Sequence, residues 1–165
     1  MASGDTIYTF MAYSNEPPSA SYATLDTRNQ RPVLDHADSG SETSVFGAIL
    51  PRHYGGGGIT AYHHVAFSSA TAGSAVIQGA FERIGNEVGD LDDAAGFAAA
   101  VTANVDVPLT AGSVFVSPIA FTDGAQIDSL AVGKYFRYKF TRQGESVTDD
   151  ASGDMELIGI ELKET

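Results

Sequence analysis

The sequence predicts an all-β fold, an antiparallel β-sandwich of the jelly-roll type with at most a short helical turn. Its 165 residues include 18 glycines and only 18% charged residues, a composition typical of many short strands joined by turns. Several segments alternate between apolar and polar residues with the period of two that a strand requires. Around residues 45–67, two β-branched and aromatic segments flank Pro51 and the run Gly55 to Gly58, which no helix tolerates.

The first half of the chain contains six segments that predict strands. Short extended pieces occupy residues 7–11, 23–27 and 32–35, and longer ones occupy residues 44–50, 59–67 and 74–83. In the last of these, Ala75, Ile77, Gly79 and Phe81 alternate with more polar positions, so one face is expected to lie on a core.

The second half adds four strands after one ambiguous stretch. Residues 97–107 are ambiguous: acidic residues in the preceding 90–95 stretch are suited to capping a short helix that begins near Gly96, whereas residues 102–107 have a strand pattern. Residues 114–121 contain Pro118, which cannot donate to a ladder and therefore predicts an edge strand or a strand end. Residues 130–141 form the clearest amphipathic strand, and residues 155–162 complete the domain.

About eight to ten strands of this spacing indicate one domain spanning residues 1–165, a two-sheet sandwich, jelly roll or barrel, with no repeat of solenoid length. The best-patterned strands supply the expected core. These residues are Ile77, Phe81, Phe136, Tyr138, Phe140, Ile158, Ile160 and Leu162. In the last strand, strict alternation puts Glu156, Ile158, Ile160 and Leu162 on one face.

The charge and composition exclude several functional classes. A net charge of −12 opposes binding to nucleic acid or to an anionic membrane, so neither is expected as a partner. The absence of cysteine excludes disulfides, thiolate metal sites and a thiol nucleophile. No secretory leader and no apolar stretch of membrane-spanning length is present, which predicts an unexported protein made in a reducing cytoplasm.

Histidine and aspartate clusters are the candidate metal ligands. His63 and His64 are adjacent on a predicted strand and therefore point to opposite faces, so even with His36 and His53 they match no zinc pattern. The acidic groups do not follow the alternating calcium-loop template and are expected to be solvated loops. They comprise Asp90, Asp92 and Asp93, and Asp149, Asp150 and Asp154. We expect no metal and no cofactor, with calcium at the first group as the alternative.

No catalytic motif is visible, so the sequence predicts a protein that is not an enzyme. No serine lies in a Gly-x-Ser-x-Gly elbow, and the glycine run lacks the lysine of a phosphate-binding loop. Paired glycosidase carboxylates remain open, although the absence of tryptophan weakens a sugar-stacking cleft. Tyrosines are able to take that stacking role or to form protein interfaces. They are Tyr8, Tyr13, Tyr22, Tyr54, Tyr62, Tyr135 and Tyr138.

Six segments, in order, resemble a family of small virion-associated proteins of tailed bacteriophages and prophages. They are SNEPP at 14–18, ATLDTRNQRPVL at 23–34, ILPRHY at 49–54, FERI at 81–84, DSLAVGKYFR at 128–137 and GDMELIGIEL at 153–162. The chain is also similar in size and character to jelly-roll decoration, or cement, proteins. The resemblance implies a structural protein on the capsid exterior, made in the host cytoplasm, with the major capsid protein as partner and a homotrimer or homodimer as its state.

Two segments are the candidate interfaces under this interpretation, because ordered glycine-rich backbone and ordered ends normally need partners. They comprise Met1, Ala2, Ser3, Gly4 and Asp5, and Pro51, Arg52, His53, Tyr54, Gly55, Gly56, Gly57 and Gly58. The alternative function is a receptor-binding or carbohydrate-binding domain of a phage tail fibre or spike. The lack of a fibre-shaft repeat favours decoration.

Overall fold

The computed structural model describes residues 4–85, 91–92 and 96–165 and contains ten strands in that part of the chain. The strands are β1 (Thr6–Met11), β2 (Thr24–Arg28), β3 (Arg31–His36), β4 (Ser41–Ile49), β5 (Ile59–Phe67), β6 (Ser74–Ile84), β7 (Val101–Asp106), β8 (Phe115–Phe121), β9 (Tyr135–Gln143) and β10 (Met155–Glu164). Two single 3₁₀ turns, Ala12–Ser14 and Ala125–Ile127, are the helical elements of the described residues. Neither turn has the length or apolar character to cross a membrane.

Two antiparallel sheets pack face to face. Sheet A has the order β2-β3-β10-β5-β8, and β1 pairs with the half of β10 that β3 leaves free. Sheet B has the order β4-β9-β6-β7. The predicted antiparallel sandwich of jelly-roll type is therefore confirmed, with Pro118 on β8 at an edge of sheet A.

Aromatic rings from both sheets fill the space between them. Phe81 of sheet B lies at the centre, with ring centroids 4.8 Å from Tyr138 and 4.9 Å from Phe121. Seven of the eight predicted core residues are buried, because they occupy inward positions of regular strands. The exception is Ile158, which is half-buried.

A β-bulge explains the error at Ile158. The register of β10 against β5 shifts between Leu157 and Gly159, so the inward face changes parity along the strand. Met155 and Leu157 point inward before the shift, and Ile160 and Leu162 point inward after it. The prediction that Glu156, Ile158, Ile160 and Leu162 share one face was therefore wrong.

Two further predictions differ from the structure or lie outside it. β9 begins at Tyr135 rather than at residue 130, because a turn at Gly133 precedes it, with Lys134 N donating to Ala131 O at 3.2 Å. The short helix predicted to follow the acidic residues of the 90–95 stretch is absent, since residues 96–100 are irregular and β7 begins at Val101; of the acidic stretch itself, Leu91 and Asp92 are described.

Candidate functional site

A groove with two exposed tyrosines lies where the edge of sheet B meets the edge of sheet A. We call it the tyrosine groove; its volume is about 240 Å³. It is lined by Ala12, Tyr13, Asn15, Pro17, Tyr22, Ala23, Thr24, Leu25 and Leu34. Its floor is buried, since Ala12, Ala23 and Leu34 are at most 2% exposed, whereas Tyr13, Tyr22 and Leu25 are 69%, 51% and 50% exposed.

The backbone of the 12–23 segment fixes both tyrosines against the outer edge of β4. Asn15 forms a bridge with Phe46 and accepts a hydrogen bond from Val45 N on its Oδ1 at 3.0 Å. Tyr22 forms a β-bridge with Thr43, and the backbone carbonyl oxygen of Thr43 accepts a hydrogen bond from Ala23 N at 3.0 Å. This pairing covers the edge that β4 would otherwise expose and holds the two rings over a rigid floor.

A second groove adjoins the first and shares Pro17 with it. We call it the cationic groove; its volume is about 420 Å³, and it lies over the outer face of sheet B. It is lined by Glu16, Pro17, Pro18, Ala20, Thr43, Val45, Phe97, Arg137 and Lys139. Together the two grooves combine aromatic rings, apolar walls and charged hydrogen-bonding groups, which is the mixture that small polar ligands with apolar faces require.

Glu82 organises the charged side of the cationic groove. Its carboxylate accepts from Arg137 Nε at 2.7 Å and from Gly96 N at 2.5 Å. Ala98 N in turn donates to Phe81 O at 2.8 Å, which holds Phe97 over the sheet. The Phe97 ring centroid then lies 5.3 Å from Arg137 Cζ and 4.6 Å from Lys139 Nζ, within the range of a cation–π contact.

A third concave region lies on the outer face of sheet A, with a volume of about 230 Å³. Arg28 crosses it to bind Glu156 and the carbonyl of Phe67, the latter at 3.2 Å. Asp35, the cross-strand neighbour of Glu156, has a buried Oδ1 without a hydrogen-bond partner among the described residues. Burial, and then the charge of Glu156, raises the pKa of Asp35 to about 6. This region has no exposed aromatic lining.

The predicted interface segments lie side by side and are held by their own chain. Met1, Ala2 and Ser3 lie outside the described residues, but Gly4 N donates to Glu164 O at 2.6 Å and Glu164 N donates to Asp5 O at 3.0 Å. The Glu164 carboxylate accepts from Gly55 N and Gly57 N at 3.2 and 3.3 Å. These contacts hold Gly4, Asp5, Gly55 and Gly57 against Glu164, and the role of the two segments as interfaces stays a prediction.

Within the loop, the candidate residues differ in exposure. Tyr54 is buried and its hydroxyl donates to Gly57 O, whereas Arg52 and His53 are exposed. Burial, together with the charges of Asp123 and Glu164, raises the pKa of Tyr54 to about 12. The hydroxyl of Tyr54 is therefore protonated and acts as a tether for the Pro51 to Gly58 loop.

The histidines separate as the strand pattern predicts. His63 is buried and His64 on the opposite face is half-buried, while His36 is also buried and His53 is exposed. Across the described residues, no three His, Asp or Glu side chains converge to hold a metal ion. Asp90 and Asp93 lie outside the described residues, so the calcium alternative stays open there.

One member of the other acidic group, Asp149, is buried rather than solvated. Asp149 binds the fully buried guanidinium of Arg142, with an N–O distance of 2.8 Å, and its side chain is 1% exposed. Asp150 Oδ1 accepts from Ser74 N at 2.6 Å. The expectation of a solvated loop was therefore wrong for Asp149, because Arg142 extends the inward face of β9 and needs a counter-charge.

No protein-family model matches the sequence, and no curated protein matches it either. Several solved structures are similar to this chain in fold. The carbohydrate-binding module CBM6cm-2 from Cellvibrio mixtus lichenase 5A, in complex with cellotriose, aligns with a TM-score of 0.54 and 14% identity over 98% of this chain and 99% of that chain. The C-terminal CBM6 of the marine laminarinase LamC from Zobellia galactanivorans aligns with a TM-score of 0.52 and 11% identity, over 97% of this chain and 100% of that chain.

The CBM22-1 xylan-binding domain from Paenibacillus barcinonensis Xyn10C is similar to the same degree. Its TM-score is 0.52 and its identity 11%, over 99% of this chain and 97% of that chain. Identities this low establish the shared sandwich fold alone. The resemblance to virion proteins of tailed phages stays a prediction.

The sequence had marked Tyr13 and Tyr22 only as members of a set of seven tyrosines. What distinguishes them is that both lie outside the strand pattern, on either side of Pro17 and Pro18. That position was the available signal for an exposed aromatic site. The grouping of Phe97 with Arg137 and Lys139 had no sequence signal, because it depends on how the 96–98 segment folds back on sheet B.

Proposed function

We propose that this chain is a carbohydrate-binding domain that holds a glycan in the tyrosine groove. The observation that supports it most is the pair of exposed tyrosines over a buried apolar floor, fixed by backbone pairing to β4. Sugar rings have an apolar face and a rim of hydroxyl groups, so a flat aromatic surface beside hydrogen-bonding groups matches both parts.

The fold adds independent support for this proposal. The similar solved structures include domains named for carbohydrate binding or xylan binding, and this chain spans nearly their whole length. The function is the carbohydrate-binding part of the alternative that the sequence left open. Capsid decoration and the absence of enzymatic activity both stay predictions.

The test is a calorimetric titration of the purified protein with cellotetraose, laminaritetraose and xylotetraose. At least one is expected to bind, and Tyr13→Ala or Tyr22→Ala is expected to weaken that binding by about tenfold, since an aromatic contact contributes about 1.5 kcal/mol. Both variants should keep the stability of the parent protein, because both rings are exposed.

Tyr8→Ala is the matched control, because Tyr8 is an exposed tyrosine that does not line either groove. Its affinity should equal that of the parent protein. Equal affinities for all four proteins would show that the tyrosine groove is not the site. Absence of binding to every oligosaccharide would overturn the proposed function.

A further inference from the structure

The cationic groove contains a lysine that forms no ion pair with a carboxylate of the described residues. Lys139 is on β9, which lies between β4 and β6, and its half-buried side chain contacts the Phe97 ring. Among the described residues, the ion pairs within 4.0 Å involve Arg28, Arg137, Arg142 and Lys163 but not Lys139. A lysine without an ion pair is unexpected in a chain whose 21 aspartate and glutamate residues outnumber its 9 lysine and arginine residues.

Of the two other charged residues that line the groove, Arg137 is paired with a carboxylate, whereas Glu16 has no cation within 4.0 Å among the described residues. Glu82 forms an ion pair with Arg137, with an N–O distance of 2.5 Å. Glu16 faces Tyr135, whose hydroxyl donates to Glu16 Oε2 at 3.4 Å. Among the described residues that line the groove, Lys139 is therefore the cation without an ion pair, and it lies beside an aromatic ring, with the Glu16 carboxylate in the same lining.

From this arrangement we infer that Lys139 binds the carboxylate of an acidic sugar, so the ligand is a largely neutral glycan that includes uronic acid residues. The inference rests on the proposed function, because the glycan reaches Lys139 from the tyrosine groove past the shared residue Pro17. A carboxylate at this position forms a charge-assisted hydrogen bond with the ammonium group in a partly desolvated site.

The overall charge of the protein limits how acidic that glycan is. A protein with a net charge of −12 repels a densely charged polyanion. At physiological ionic strength this repulsion extends over a Debye length of about 8 Å, which is longer than the N–O distance of an ion pair. Isolated carboxylates on a neutral chain gain the local contact with Lys139 and avoid most of that repulsion. The ligand class is thus a sparsely carboxylated glycan and not a polyuronate.

The experiment compares neutral, acidic and esterified forms of the same oligosaccharides by calorimetry. The neutral probes are unmodified cellotetraose and xylotetraose. The acidic probes are the same two oligosaccharides with one glucuronic acid residue attached, and the esterified probes are the methyl esters of those acids. The acid is expected to bind about tenfold more tightly than its ester, which has the same shape but no charge. Raising the salt concentration should reduce that preference.

Lys139→Gln should lower the affinity for the acid to that for its methyl ester, so the ratio between the two affinities falls from about ten to about one. Lys163→Gln is the matched control, because Lys163 lies on β10 in the other sheet and is paired with Glu161 at 3.5 Å; it should keep the preference. Equal binding of acid and ester by the parent protein, with the neutral chains still bound, would overturn this inference and leave the proposed function intact. No binding of any probe would overturn both.

Discussion

His63 and Tyr138 join the two sheets through a buried hydrogen bond, with 2.8 Å between Nε2 and the tyrosine oxygen. The other ring nitrogen of His63 lies 2.8 Å from Ser117 O. Because a carbonyl only accepts, Nδ1 has the proton and Tyr138 donates to Nε2. His36 repeats the arrangement, with Nδ1 donating to Leu34 O and Ser44 Oγ donating to Nε2 at 2.8 Å.

The two buried histidines predict that the protein loses stability in mild acid. Burial lowers the pKa values of His36 and His63 from 6.5 to about 4. Between those values the unfolded chain binds more protons than the folded protein, so the free energy of unfolding falls as the pH falls from 6.5 to 4. Over that pH range, protonation linked to each histidine lowers the free energy of unfolding by on the order of 3 kcal/mol. Asp35, with its raised pKa, opposes this trend more weakly because it is partly exposed.

Urea unfolding at pH 7 and pH 5 measures this effect, and His63→Gln should reduce the difference between the two. His64→Gln is the control, since its side chain lies on the opposite face of β5. An unchanged pH dependence in His63→Gln would show that His63 titrates normally.

Asp149→Asn is expected to destabilise the fold by about 3–5 kcal/mol, because it leaves the buried charge of Arg142 without its partner. Arg142 also donates to Gly153 O at 2.7 Å and Ala151 O at 2.6 Å, so the 144–154 loop depends on it. Chemical denaturation provides the measurement. Asp150→Asn, at the exposed carboxylate of the next residue, should cost about 1 kcal/mol; equal losses would contradict the assignment.

Gly79→Ala is expected to cost about 1–3 kcal/mol through overpacking. Gly79 lies on the inward side of β6, where an added methyl group would collide with the Tyr138 hydroxyl and with Phe121 Cζ, the latter at 2.7 Å. Gly96→Ala is the control, since its added methyl group would lie 3.9 Å from the nearest neighbour, Glu82 Oε1. The thermal unfolding midpoints of the two variants should therefore differ, and coincident midpoints would refute the packing argument.

Glu164→Ala is expected to release the Pro51 to Gly58 loop while the sandwich stays folded. Its carboxylate accepts the amide hydrogens of Gly55 and Gly57, so their hydrogen exchange should accelerate by tenfold or more, roughly the loss of a 1.4 kcal/mol contact. Glu161→Ala, at an outward position of β10, should leave those amides unchanged. Slow exchange in Glu164→Ala would show that something other than Glu164 orders the loop.

Alternation with period two was enough to predict the strands, because burial on one face selects the residues at every second position. Residues 59–67, for example, match β5 from Ile59 to Phe67. The bulge between Leu157 and Gly159 had one marker in the sequence, since an isolated glycine inside a strand pattern suggests a bulge, and the shift arises where β1 replaces β3 beside β10. Arg142 was hidden, because its only marker was its place on the inward face of β9.

The candidate site was less predictable than the fold. Tyr13 and Tyr22 come together only because segments on both sides of Pro17 pair with the same edge of β4. Phe97 meets Lys139 through the hydrogen bonds of Glu82 and Phe81, which join residues 14 to 17 positions apart. Such contacts depend on tertiary structure that a local pattern does not encode.

The position of β10 has a consequence for synthesis of the protein. This strand follows the other nine described strands in sequence, yet it lies within sheet A and pairs with β1, β3 and β5. During translation, Thr6 of β1 pairs with Lys163 only after residues up to Lys163 have left the ribosome, so sheet A cannot close before then. Until then, the apolar faces of the earlier strands are exposed to chaperones and to one another.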